Sequence, residues 1–339
     1  MELLPYPESH FIQVKLDWVE LSCLANPFFT FRVAELRNAI ENLDSFSTGD
    51  IAEEDAKVEN EIQKILTQYE KRAQVLGETY PFTFNREDQL FEMKQQSLEE
   101  LEIYHHAYLY CLYFSHITQS RLFSGLGDTT NAHRDLLQIA ATVALAGYAR
   151  GHSVSFGWPR PDSSGFYDCL CRVIALIKEG RVKPFANVNR YLQSRPLKDA
   201  GIDVIAWRDD NPHDVDPGNR HIFFAQVASG HNWRSKPVKE DIRVIQTQWL
   251  EQSLFRVTDA IVIPFDFEQD DEEMKRDEIS LIADEFGAVI HRTRLPRYFK
   301  DGLSILAEKP ELLIERVDEI QSIGEYVFDM TTTLQGEAA

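Results

Sequence analysis

Two closely spaced apolar runs, within Lys198–Trp233, restrict the fold of this chain more than any other feature. The first, Ile202-Asp203-Val204-Ile205-Ala206-Trp207, follows Gly201 and is apolar on both faces except at Asp203. The second runs from His221 to Ala228 and is apolar except at Gln226. Short runs rich in β-branched and aromatic residues, bounded by turn formers, read as strands covered on both faces. Each strand then buries one polar side chain, which costs a few kcal/mol unless it finds a partner. A metal ion is one such partner and an ordinary buried hydrogen bond is another; the residue types leave both open.

Around this stretch the periodicity changes along the chain. Phe11–Leu16 alternates like a short strand. Phe31–Leu43, Asp50–Leu76, a capped segment from Ser97 to about Phe123, and Ala132–Ala149 carry helical spacing. The first 150 residues therefore read as a helical domain. Turn residues take over at Phe156-Gly157-Trp158-Pro159-Arg160-Pro161, where a second domain is expected, covering 151–308 and followed by a C-terminal helix and tail over 309–339. In the second domain the spacing predicts a helix near 165–179, a strand within 182–192, the two opening strands, a helix over 239–255, a strand over 260–265, a helix over 274–286, and a last strand from Ala288. Strand, helix, strand at this spacing implies a parallel crossover. The fold class is α/β: a helical N-terminal domain and a mixed sheet flanked by helices.

At 339 residues there is ample material for a sizeable core. The formal net charge of −20 argues against non-specific coating of nucleic acid, a mode that depends on neutralising phosphates. It permits an enzyme whose basic groups gather at one site, and a protein partner bound through the acidic helical half. No apolar run approaches the length of about 18 residues that a membrane helix needs, and no export signal opens the chain, so a cytoplasmic protein is expected. The four cysteines lack zinc spacing. No phosphate-binding loop, dinucleotide fingerprint or nucleophile elbow is present, and His133 and Asp135 are too local to argue a triad.

The order of elements from residue 165, with Asp199-Ala200-Gly201-Ile202-Asp203 on one strand and Gln226-Val227-Ala228 on the next, resembles the restriction-endonuclease-like PD-(D/E)XK nucleases. The Gly-Ile-Asp strand followed by a Gln-x-Lys-like strand is closest to their Mrr-type branch. The likeness covers about residues 151–300. It implies metal-assisted hydrolysis of a DNA phosphodiester with Mg²⁺, or Mn²⁺, at the site. By the same likeness Asp203 is the bridging metal ligand, the Gln226 side-chain oxygen stands for the usual Glu, the Val227 carbonyl sits beside it, and Asp168 takes the place of an acidic residue on the preceding helix. The family's lysine position is Ala228 here, so a displaced lysine is expected, with Lys236 the nearest downstream and Lys198 another.

Two further groups suit a nucleic-acid substrate. Arg292 and Arg294, on one face of an expected strand, would clamp a phosphate or else pair with the acidic loop Glu268–Glu273. Trp233 would stack on a base or else pack in the core. The resemblance points to a nuclease of prokaryotic defence against phage or foreign DNA. The alternative is a nuclease-like fold without catalysis, serving as an interaction subunit.

Overall fold

The computed structural model describes residues 1–43, 50–119, 121–125, 129–160, 162–194, 197–208, 211, 213–214 and 216–336. Pro161, at the end of the expected boundary segment, lies outside them.

A five-stranded mixed sheet organises the molecule. The strands that follow are numbered after a small antiparallel sheet made of β1 (Thr30–Arg32), β2 (Phe82–Asn85) and β3 (Leu90–Met93), with β3 in its centre. The main sheet contains β4 (His152–Ser155), β5 (Val204–Arg208), β6 (His221–Val227), β7 (Val257–Val262) and β8 (Ala288–Ile290), in the order β8-β7-β6-β5-β4. β4, β5 and β6 pair antiparallel, whereas β6, β7 and β8 run parallel. The parallel crossover expected for the last two strands is present.

Helices cover both faces, which is why β5 and β6 are apolar all round. The period-2 alternation sends Val204, Ala206, Phe223 and Ala225 into one core and Ile205, Trp207, Ile222 and Phe224 into the other. The first core is shared with α1 (Ile12–Ala25), α3 (Ile51–Leu76), α4 (Ile103–Gln119), α5 (Asn131–Ala149), α10 (Leu295–Glu308) and α11 (Gln321–Gly336). The second is shared with α6 (Phe166–Ile177), α8 (Val238–Val244) and α9 (Glu272–Phe286). Two short helices, α2 (Val33–Glu41) and α7 (Arg190–Ser194), complete the set. One continuous core therefore crosses the expected boundary at 150/151, because α5 lies directly on β4, β5 and β6.

Helix ends follow local chemistry. Asp50 caps α3 by accepting from the Ala52 N–H at 3.0 Å, Glu53 and Glu54 occupy its first turn, and Gly77 ends it. Asp271 caps α9 through the Met274 N–H at 2.8 Å.

Several expectations need correction. Phe11–Leu16 is not a strand; it leads into α1, whose polar residues Gln13, Asp17 and Glu20 are buried along with its apolar ones, and a six-residue alternation cannot distinguish such a helix from a strand. Ser97 makes no side-chain capping bond and precedes only a single tight turn, Leu98–Glu100, ahead of α4. No long strand occupies 182–192: Arg181–Val182 pairs with Leu250–Gln252, which ends the helix expected over 239–255. The strand that lies beside β5 is instead β4, with the unpromising sequence His-Ser-Val-Ser. The basic segment after Ile290 turns into α10 at Leu295. The C-terminal helix, expected within 309–339, spans Gln321–Gly336. No helix among the described residues is long and apolar enough to cross a membrane.

Candidate active site

Asp203 and Gln226 meet where β5 begins and β6 ends. The register Val204↔Ala225 continues one step outward, and the Asp203 N–H donates to the Ala225 carbonyl at 2.8 Å. On its other side the Asp203 carbonyl accepts from the N–H groups of Phe156 and Gly157 at 2.7 and 2.8 Å. With its backbone held from both neighbours, the carboxylate Oδ2 accepts from the Val227 N–H at 2.7 Å. Gly157 permits this closeness: a Cβ there would stand 2.7 Å from Asp203 Oδ1 and 2.6 Å from Gln138 Oε1.

Helix α8 delivers a second carboxylate. The Gln226 amide Nε2 donates to Asp241 Oδ2 at 2.6 Å, which leaves the buried Gln226 Oε1 without a hydrogen-bond partner among the described residues. Gly201, at φ +79°, makes room for Asp241, because a Cβ would lie 2.1 Å from its Oδ2. Asp199 braces the same loop, accepting from the Gly201 N–H at 2.9 Å and from the Trp158 N–H at 3.4 Å.

The carboxyls of Asp203 and Asp241, close to each other and to Asp199, resist ionisation. Burial pushes the Asp203 carboxyl up to about 7; the Val227 N–H works against this, Asp199 and Asp241 add to it, and the Lys236 ammonium lowers it. Burial likewise pushes Asp241 up to about 6, opposed by Gln226 and Lys236 and aided by Asp199 and Glu240. Raised carboxyls beside an orphaned amide oxygen suit a divalent cation, which would favour both carboxylates and satisfy the oxygen. No group of three or more His, Cys, Asp or Glu among the described residues is arranged to hold a metal. A cation here would therefore draw on Asp203, Asp241 and the Gln226 oxygen, and on water or substrate oxygens for the rest, a division typical of Mg²⁺.

Of the residues singled out from the sequence, Asp203, Gln226, Val227 and Lys236 come together. Lys236 acts on both raised carboxyls although it lies ten residues beyond Gln226. Asp168 does not join them: it is exposed on the first turn of α6, and the charges acting most strongly on Asp203 are those of Asp199, Lys236 and Asp241. The helix ahead of β4 is α5, and it faces the site with Gln138, whose Nε2 donates to Ser155 Oγ at 2.7 Å. Ala228 is buried among apolar side chains on the α8 side of the sheet.

Of the residues weighed as nucleic-acid contacts, Trp233 takes the packing alternative and Arg292 is buried, while Arg294 is exposed. Trp233 is buried, edge-on to Phe267 and tilted against Phe286, with the Arg234 guanidinium 4.3 Å from its ring. Arg292 does not clamp a phosphate and does not pair with the acidic loop. Fully buried, it donates to both oxygens of Asp17 at 2.7 Å and to Ser115 at 3.3 Å. Asp17 also takes Arg72 at 2.6 Å and His116 at 2.8 Å; burial alone would raise its carboxyl, but the Arg292 and Arg72 guanidiniums, with the His116 hydrogen bond, hold it far below the usual range. Arg294 lies in the turn beyond β8 and donates to the Val289 carbonyl at 2.9 Å.

Asp199 stood in the Asp199-Ala200-Gly201-Ile202-Asp203 motif without a role, and Asp241 was legible only as one acidic residue among many. Asp241 belongs to a Lys-Glu-Asp run that reads as a solvated helix start, and its inward direction follows from where α8 docks.

Compared with protein-family models, with curated proteins and with solved structures, the chain has no match in any of the three.

Proposed function

We propose that the chain is a cytoplasmic, Mg²⁺-dependent hydrolase of DNA phosphodiester bonds, with Asp203, Gln226 and Asp241 as the metal-holding set and Lys236 as the activating cation. The observation that carries this reading is the buried, unpartnered Gln226 Oε1 beside two carboxyls that burial has raised. The Gln226 amide nitrogen donates to Asp241, and no donor among the described residues reaches the oxygen. The order of pairing β4-β5-β6-β7, with Asp203 and Gln226 on adjacent antiparallel strands, supports the likeness to restriction-endonuclease-like nucleases.

A Mg²⁺ held by Asp203, Asp241 and the Gln226 oxygen would supply Lewis-acid stabilisation of the phosphoryl oxygens and a more acidic water. The chain's own residues do the rest. The Val227 N–H fixes the direction of the Asp203 carboxylate, and the Gln226 amide fixes Asp241. Lys236 keeps positive charge beside them, which favours their ionised forms and would offset charge developing on the phosphate.

The reading extends to a role in defence against foreign DNA, with the acidic helical half contacting a protein partner. The test is cleavage of plasmid and linear DNA with Mg²⁺ or Mn²⁺ by the wild type and by Asp203→Ala, Gln226→Ala and Asp241→Ala. Cleavage that persists in the Asp203 and Gln226 variants would sink the site assignment. A wild type that cleaves nothing, alone or with the products of neighbouring genes, would favour an interaction subunit built on a nuclease-like fold.

A further inference from the structure

A cleft of about 480 Å³ adjoins the carboxylate site, lined by Arg134, Gln138, Trp158, Lys198, Val227 and Ser229 among others. Two of its lining residues touch that site: the Val227 backbone N–H donates to Asp203 Oδ2 and the Trp158 backbone N–H donates to Asp199. Two cations stand on its wall. Arg134, from the first turns of α5, and Lys198, from the loop ahead of β5, are both exposed cations. The one carboxylate of the lining, Asp135, is already engaged by Arg316 at 2.7 and 2.5 Å.

Trp158 is the unusual member. It is 43% exposed, while the other tryptophans, Trp18, Trp207, Trp233 and Trp249, are 7% exposed or less. Its backbone is tied down at Asp199, and the Arg160 guanidinium lies 5.9 Å from its ring. A large aromatic held at the rim of a cleft, with cations beside it, has the makings of a stacking platform: every base offers a π-face, and the phosphates on either side need positive charge.

We propose that this cleft binds single-stranded DNA, with an unpaired base laid on the Trp158 ring and flanking phosphates held by Arg134 and Lys198. The inference rests on the hydrolase reading for its purpose, since it would bring a phosphodiester to the carboxylates. A paired base inside a duplex has both faces covered by its neighbours, so it reaches the ring only after unstacking. The site thus selects single strands, frayed ends or locally opened DNA over intact duplex.

Because Trp158 alone among the tryptophans is well exposed, intrinsic fluorescence reads this contact directly. Full-length Asp203→Asn protein, which keeps DNA intact, is titrated in Mg²⁺ with a single-stranded oligodeoxynucleotide and with the blunt duplex of the same sequence. The expected result is quenching by the single strand, binding roughly tenfold weaker for the duplex, and a loss of roughly tenfold in single-strand affinity on Trp158→Ala, largely restored in Trp158→Phe. Equal binding of both forms without quenching, or an affinity indifferent to Trp158→Ala, would overturn the proposal. Plasmid cleavage by the wild type is scored separately: cleavage that is indifferent to Trp158 removes the stacking site and leaves the hydrolase, whereas quenching and selective binding without cleavage keep the stacking site and remove the hydrolase.

Discussion

The side-chain amide of Gln226 donates to Asp241 Oδ2 at 2.6 Å, linking the end of β6 to helix α8 across the mouth of the sheet. This bond decides which of the two amide ends faces the carboxylate pair. It also brings Asp241, fifteen residues further along, into the site beside Asp203.

The raised carboxyl of Asp203 makes stability fall with pH. Unfolded, the group ionises near its ordinary value of 3.8; folded, it holds its proton up to about 7. Between these values the folded state binds more protons, so raising the pH favours unfolding until both states are ionised, by no more than about 4 kcal/mol. The metal-free wild type should show a Tm falling from about pH 4 to about pH 7, and Asp203→Asn a flatter profile. At pH 8, saturating Mg²⁺ should raise the wild-type Tm by roughly 3 °C and leave that of Asp203→Asn unmoved. An equal Mg²⁺ response in both proteins would exclude Asp203 as a ligand.

Lys236 lowers the pKa of both Asp203 and Asp241. Lys236→Met should therefore move the rising limb of the pH–rate profile toward alkaline pH and reduce the rate about 100-fold. Lys236→Arg, which keeps the charge, should leave the limb in place. A Met variant with an unshifted profile would show that the ammonium does not act on this pair.

At Gly201 both the positive φ and the closeness of Asp241 forbid a side chain. Gly201→Ala should cost about 1–3 kcal/mol in stability and reduce hydrolysis at least tenfold by displacing Asp241. Thermal unfolding together with cleavage assays separates the two effects, since a variant as active as wild type would show that Asp241 has room to spare.

A lysine introduced at position 228 should add no activity. Ala228 is 2% exposed and packed in the core that contains Trp233 and Ile263. Ala228→Lys would put an ammonium among apolar side chains, costing several kcal/mol and adding no activity. A stable and more active Ala228→Lys protein would mean that the β6 end is open to the site.

Arg292, Arg72 and His116 converge on Asp17, joining the turn after β8 to α1, α3 and α4. Arg292→Met should destabilise the whole chain by about 3–5 kcal/mol, because it leaves Asp17 buried with less compensation. The additional change Asp17→Asn should recover part of that loss. Unfolding in urea of the single and double variants measures the coupling, and strictly additive losses would show that the two groups act apart.

The local signals in the amino-acid sequence determined the parts whose chemistry is complete within a few residues. Asp50 and Gly77 mark the ends of α3, Asp271 and Gly287 those of α9, and the doubly apolar runs around Asp203 and Gln226 require a sheet covered on both faces. The isolated carboxylate and amide in those runs marked the start of the site for the same reason, since a buried polar group demands a partner wherever the chain goes. Which partner it finds is a matter of packing. Asp241 turns inward because α8 docks over the end of β6, Arg292 is taken by Asp17 because α1 runs behind the sheet, and Trp233 is covered by Phe267 and Phe286 while Trp158 is left bare. These outcomes depend on residues far apart in the chain, and a charged or aromatic side chain looks the same in sequence whether it faces solvent, a ligand or a buried counter-ion. Only the tertiary structure distinguishes them, because the free energy of each depends on which neighbours replace its water.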